Sequence, residues 1–133
     1  QTTEMTIRAR FTEISKFTSA HVLSKPTEFA GLNWRIRLYK KDDHLSFFVK
    51  AYKNAATWSC SAIVDYQLIS QKDENIIHHI SSKMTDVYRK EGYPCWGQNK
   101  FISFKDLFDD KKGYVKDDSI IVAAVIKAFP NAQ

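Results

Sequence analysis

The side chains of this 133-residue chain that could do covalent or acid–base chemistry are two cysteines, four histidines and several adjacent acid pairs. A thiol nucleophile would be Cys60 or Cys95, activated by one of His21, His44, His78 and His79. Cys60 falls on the apolar side of an alternating run, where a thiol packs as a small hydrophobe. Cys95 sits beside Trp96, next to a predicted loop, without a nucleophile–base pattern. His78 and His79 are adjacent, so on a strand their rings point to opposite faces and do not share a metal. No Cys-x-x-Cys or His-x-x-x-His spacing occurs. Asp42/Asp43, Asp109/Asp110 and Asp117/Asp118 fall in predicted turns, where Asx-type hydrogen bonding accounts for them. No glycine-rich phosphate loop is present. The chain therefore reads as non-catalytic, with no metal ligands and no cofactor.

Binding is the chemistry that remains, and two stretches carry it. One is Cys95-Trp96-Gly97-Gln98-Asn99-Lys100-Phe101-Ile102; the other is Gly113-Tyr114-Val115-Lys116-Asp117-Asp118. The Trp96 ring offers a large rigid contact, and Gly97 lets a second backbone come close. An extended peptide could pair with such a strand, its backbone supplying affinity and side-chain pockets supplying selection. Trp96 has two readings, a core plug or a groove wall, and one ring can serve both.

The elements that must position these residues read as strands. Residues 5–14, 33–40, 45–52, 58–70, 76–84, 96–102 and 119–129 are rich in β-branched and aromatic residues and are separated by turn residues. In 33–40, Trp34, Ile36 and Leu38 alternate with Arg35, Arg37 and Tyr39; in 58–70, Cys60, Ala62, Val64, Tyr66 and Leu68 share one side. Residues 25–32 are less regular. Residues 86–94 read as a polar loop with room for a short helical turn. In 103–108 Ser103 can cap one helical turn, with Asp106 at the capping-box position and Phe104, Leu107 and Phe108 on one face. Seven or eight strands joined by short turns predict an all-β, antiparallel sandwich, and no long helical pattern supports a parallel α/β fold.

Composition sets the bounds. The length suits one domain spanning residues 1–133, with a core over about residues 5–129. A chain that opens on Gln1 rather than Met reads as an excised or processed segment. No apolar run approaches the roughly 20 residues that cross a bilayer, so no membrane partner is expected. The net charge is +5, but the basic residues are scattered and interleaved with acids, unlike a nucleic-acid footprint. Cys60 and Cys95 allow a single bridge, but the leading reading is two reduced thiols in a nuclear or cytoplasmic protein.

The ordered set Trp34-Arg35-Ile36, Leu45 to Val49, Trp58-Ser59-Cys60-x-Ala62, Trp96-Gly97-x-x-x-Phe101-Ile102 and Gly113-x-x-x-Asp117-Asp118 resembles the MATH (TRAF-like) domains over nearly the whole chain. Val22-Leu23-Ser24-Lys25-Pro26 and Lys112 to Asp118 favour the branch found at the N-terminus of ubiquitin-specific proteases. The resemblance implies an eight-stranded antiparallel sandwich. It also implies a shallow groove that takes short, extended, Ser-containing peptides. By position it assigns that groove to Phe48, Cys95, Trp96, Gly97, Gln98, Asn99 and Lys100. Three departures stand out: Cys95 replaces the family's usual Asp, Gln98 its usual Phe, and no Arg lies near Ala30-Gly31. The groove is then expected to read an altered motif or to bind more weakly.

The leading expectation is a substrate-recognition module of a deubiquitinase whose catalytic cysteine lies outside this chain. The first alternative is the substrate-binding domain of a MATH–BTB adaptor for a cullin-type ubiquitin ligase. A second is a basic β-domain for nucleic acid, distinguished by a steep salt dependence. No heptad pattern precedes Met5, so the domain is read as monomeric rather than as a trimeric signalling adaptor.

Overall fold

The computed structural model describes residues 3–82, 85–91 and 94–130. In chain order the strands are β1 (Thr3–Phe11), β2 (Val22–Leu23), β3 (Thr27–Phe29), β4 (Leu32–Lys41), β5 (His44–Tyr52), β6 (Ser59–Ile69), β7 (Ile77–Ser81), β8 (Asp86–Arg89), β9 (Cys95–Ser103) and β10 (Ile120–Pro130). One helical turn, α1 (Phe104–Leu107), follows β9.

Two antiparallel sheets result. The first runs β1-β10-β6-β7, with β8 also on β6; the second runs β2-β4-β5-β9, with β3 also on β4. β7 and β8 pair with successive stretches of β6, and β2 and β3 with successive stretches of β4. Each sheet is therefore four positions wide. The expected sandwich is present, and its eight positions are filled by ten strands.

Alternation explains the core. Trp34, Ile36 and Leu38 of β4 and Cys60, Ala62, Val64, Tyr66 and Leu68 of β6 are all buried between the sheets. Each large apolar side chain so buried contributes about 1.5–3 kcal/mol. Ala123 and Ala124 are both buried in β10, which pairs with β1 on one side and β6 on the other.

Several boundaries differ from the sequence reading. The first strand stops at Phe11, because Glu13 adopts φ 55 and Ile14–Lys16 form a 3-10 turn. The Ser15 N–H and hydroxyl donate to the Asp118 carboxylate at 2.9 and 2.6 Å, which fixes that turn. Residues 25–32 hold β3 and a tight turn at Ala30 and Gly31, both at positive φ. Residues 86–89, read as loop, form β8 on β6, with only Tyr88 buried. The expected strand at 76–84 ends at Ser81, and its residues 83 and 84 lie outside the described residues. The helical turn is as expected, with the Asp106 N–H donating to Ser103 Oγ at 3.1 Å.

The Gly113 to Asp118 stretch has a structural role. A Cβ on Gly113 would run into Lys72 Cβ. Ser70 Oγ donates to the Lys112 carbonyl at 2.6 Å, and Gln71 Nε2 donates to the carbonyls of Tyr114 and Ser119 at 2.8 Å each. The stretch thus ties the loop after β6 to the entry of β10.

Candidate functional site

Among the described residues β9 ends its sheet and pairs with β5 alone, so its outer side is where another strand could add. Register fixes which side chains line the outer face beside it. Gly97 lies opposite Phe48, which lies opposite Arg37; Cys95 lies opposite Lys50, which lies opposite Arg35. The sequence-predicted residues Phe48, Cys95 and Gly97 therefore share one face.

The other predicted residues divide. Trp96 and Gln98 pair with Val49 and Phe47, which point inward. The Trp96 ring packs against the core, its Nε1–H donates to the Val87 carbonyl at 2.9 Å, and its own carbonyl accepts from the Tyr66 hydroxyl at 3.2 Å. Trp96 thus joins β9 to β8 and β6 and does not stand on the outer face. Asn99 and Lys100 are exposed on an irregularity, where four residue steps on β9 match two on β5. Ser46 Oγ spans it, donating to the Asn99 carbonyl at 2.6 Å.

Phe48 is the centre of the face. Tyr39 stacks on it at 5.9 Å between ring centroids, and the Arg37 guanidinium lies over it at 5.1 Å. Arg37 also lies over the Tyr39 ring at 5.9 Å, and His21 packs on Tyr39 at 4.5 Å. Arg35 is held by its Nε–H donating to the Ser24 carbonyl at 2.9 Å. Arg35, Arg37, Tyr39 and Lys50 were missed as site residues. Alternation alone put them on outward positions, but only the register between β4, β5 and β9 gathers them.

Burial raises the Cys95 thiol pKa, with the positive charges of Arg37 and Lys50 pulling the other way, so the thiol is neutral at physiological pH. Cys60 is buried in the core and likewise raised by burial. Both cysteines are free. Desolvation lowers the His21 pKa, and Arg37 adds to that shift. Among the described residues no three His, Cys, Asp or Glu side chains converge on a metal position. His78 and His79 diverge as expected: His78 Nε2 hydrogen-bonds the Phe101 carbonyl at 2.8 Å, and His79 pairs with Asp65 at 3.0 Å. No helix among the described residues is long and apolar enough to cross a membrane.

The sequence over residues 6–126 matches the family described as the MATH domain. This chain belongs to the MATH-domain family. MATH domains are non-catalytic domains that bind partner proteins. The chain is also 30% identical over 115 residues to ubiquitin carboxyl-terminal hydrolase 7 of Drosophila melanogaster. That match covers 80% of this chain and 9% of the relative, so this MATH domain corresponds to a small part of the longer protein.

Proposed function

We propose that this MATH domain binds extended segments of partner proteins on the outer face of the second sheet, alongside the free edge of β9. The observation that carries the reading is the open edge of β9 beside the half-exposed Phe48–Tyr39 pair. The edge supplies backbone partners for an added strand, and the aromatic pair supplies a rigid apolar contact. Cys95, Gly97 and Phe48 would touch the ligand directly. Gln98, Asn99 and Lys100 would meet its far end through the irregularity on β9, and Trp96 would hold the strand in place. The likeness to a ubiquitin carboxyl-terminal hydrolase supports a further step: the domain selects substrates for a deubiquitinase, and Ser-containing segments are the peptides to try first.

The test is amide chemical-shift mapping with peptides selected from an array of ten-residue, Ser-containing sequences. Shifts should concentrate on residues 95–100 and on Phe48, with micromolar affinity typical of small transient contacts. Shifts confined to the cleft of about 640 Å³ between β1 and the β2–β3 edge, lined by Phe11, Phe17, Val22 and Leu23, would overturn the assignment.

A further inference from the structure

The face beside β9 carries three cations and little to balance them. Lys50 lies between Arg35 and Cys95 across the sheet, and Arg37 occupies the next position on the same face. Neighbouring positions across and along a sheet lie roughly 5–8 Å apart, so the three cations form one patch. The ion pairs among the described residues are Lys16–Glu13 and His79–Asp65, neither of them here. Among the described residues, the one acid that strand pairing brings to this face is Glu28, opposite Asn33 at its far end. Arg37 Nε is shielded from solvent without a hydrogen-bond partner, and its guanidinium rests on the rings of Phe48 and Tyr39. A cation so placed gains most from a charged acceptor, because charge-assisted hydrogen bonds are stronger where water is excluded.

We infer that the extended segment received here is acidic, with a carboxylate or phosphoryl group seated between Arg37 and Lys50 beside Cys95. The inference rests on the peptide-binding reading and adds its chemical selectivity. A peptide fits better than a single-stranded nucleic acid for two reasons. The open backbone edge of β9 matches an added strand, and the Phe48 ring is already stacked on by Tyr39 and Arg37 instead of being free for a base. Cys95 is central to the selectivity: a neutral thiol opposite Lys50 leaves that cation available, whereas a carboxylate at this position would neutralise it from within.

The experiment uses ten-residue peptides with one fixed Ser and every other position scanned with Glu, phosphoserine, Gln and Lys. Affinities are read by fluorescence anisotropy at physiological salt. Glu or phosphoserine at one or two positions should bind about tenfold more tightly than Gln, and Lys more weakly. Comparing the Glu and phosphoserine arms tells a constitutively acidic partner from a phosphorylated one, and a preference in either arm supports the inference. In Lys50→Gln and in Cys95→Asp the Glu-to-Gln affinity ratio should fall to about one. Lys111→Gln removes an exposed charge from the 109–112 turn and should leave that ratio unchanged. Equal wild-type affinities for Glu, phosphoserine and Gln peptides, with shifts still on β9, would overturn the acidic selectivity and leave the peptide site standing. A preference that survives both Lys50→Gln and Cys95→Asp would overturn it as well. Binding of no peptide at all would end both proposals. A ten-nucleotide thymidine oligomer that displaces the acidic peptide at lower concentration would assign the face to nucleic acid instead.

Discussion

Gly97 needs its missing side chain because of the neighbouring strand, not because of a ligand. A Cβ there would sit 2.5 Å from Phe48 Cα and 2.6 Å from Phe48 Cγ, and closer still to the Phe47 carbonyl oxygen. The sequence suggests close backbone approach at this glycine; the backbone that approaches is β5 of the same sheet. Two of these obstacles are main-chain atoms and cannot rotate away. Gly97→Ala is therefore expected to destabilise the domain by about 1–3 kcal/mol, the usual range for overpacking a tight site. Urea denaturation checks this, and a midpoint equal to that of the parent protein would contradict it. Trp96 is a poor probe of binding by comparison. Its ring packs on the core and its N–H ties β9 to Val87 of β8, so truncating it to Ala would disturb fold and ligand contact together.

At the scale of elements, β9 is held to β5 by a ladder with a fault in it. Gln98 pairs with Phe47 and Ile102 with Leu45, and the extra length of β9 between them is secured by the Ser46 hydroxyl on the Asn99 carbonyl. Ser46 is fully buried, so Ser46→Ala removes the bond without exposing new surface. The expected cost is about 1 kcal/mol, together with faster amide exchange at residues 98–101. Exchange rates unchanged from the parent would show that the fault is held by other contacts. This element was legible only in part. Strict alternation over five or six residues announced β4 and β6, and Trp96-Gly97 announced β9. β8 was hidden because its four residues bury only Tyr88, too few for a period to register. β2 and β3 span two and three residues and carry even less pattern. The cationic patch was invisible for a different reason. Arg35, Arg37 and Lys50 alternate visibly within their own strands, but their convergence on Cys95 depends on the register of β4 on β5 and of β5 on the distant β9.

For the whole molecule, the same sandwich that offers one basic face keeps protonated hydroxyls and thiols inside. Tyr66 of β6 and Tyr88 of β8 are fully buried in the core, near Asp86, and Cys60 lies opposite Tyr88 and is buried with them. Burial raises the pKa of both tyrosines, and the negative charge of Asp86 pushes the same way. Burial also raises Cys60 and Cys95. These groups are neutral when protonated, so below the ordinary thiol pKa of about 8.5 both the folded and the unfolded chain keep the protons and stability is insensitive to them. Above that value the unfolded chain releases thiol protons first, then phenol protons near pH 10, while the folded chain retains them. The unfolded state then binds fewer protons, and stability must fall as pH rises. The urea midpoint should accordingly hold between about pH 7 and 8 and decline above about 8.5, most steeply beyond 10. Tyr88→Phe removes one phenol from the balance and should flatten the steep upper part, and Cys60→Ala should flatten the onset. A midpoint that stays level to pH 11 in the parent protein would mean that these groups ionise as readily in the folded domain as in the unfolded chain.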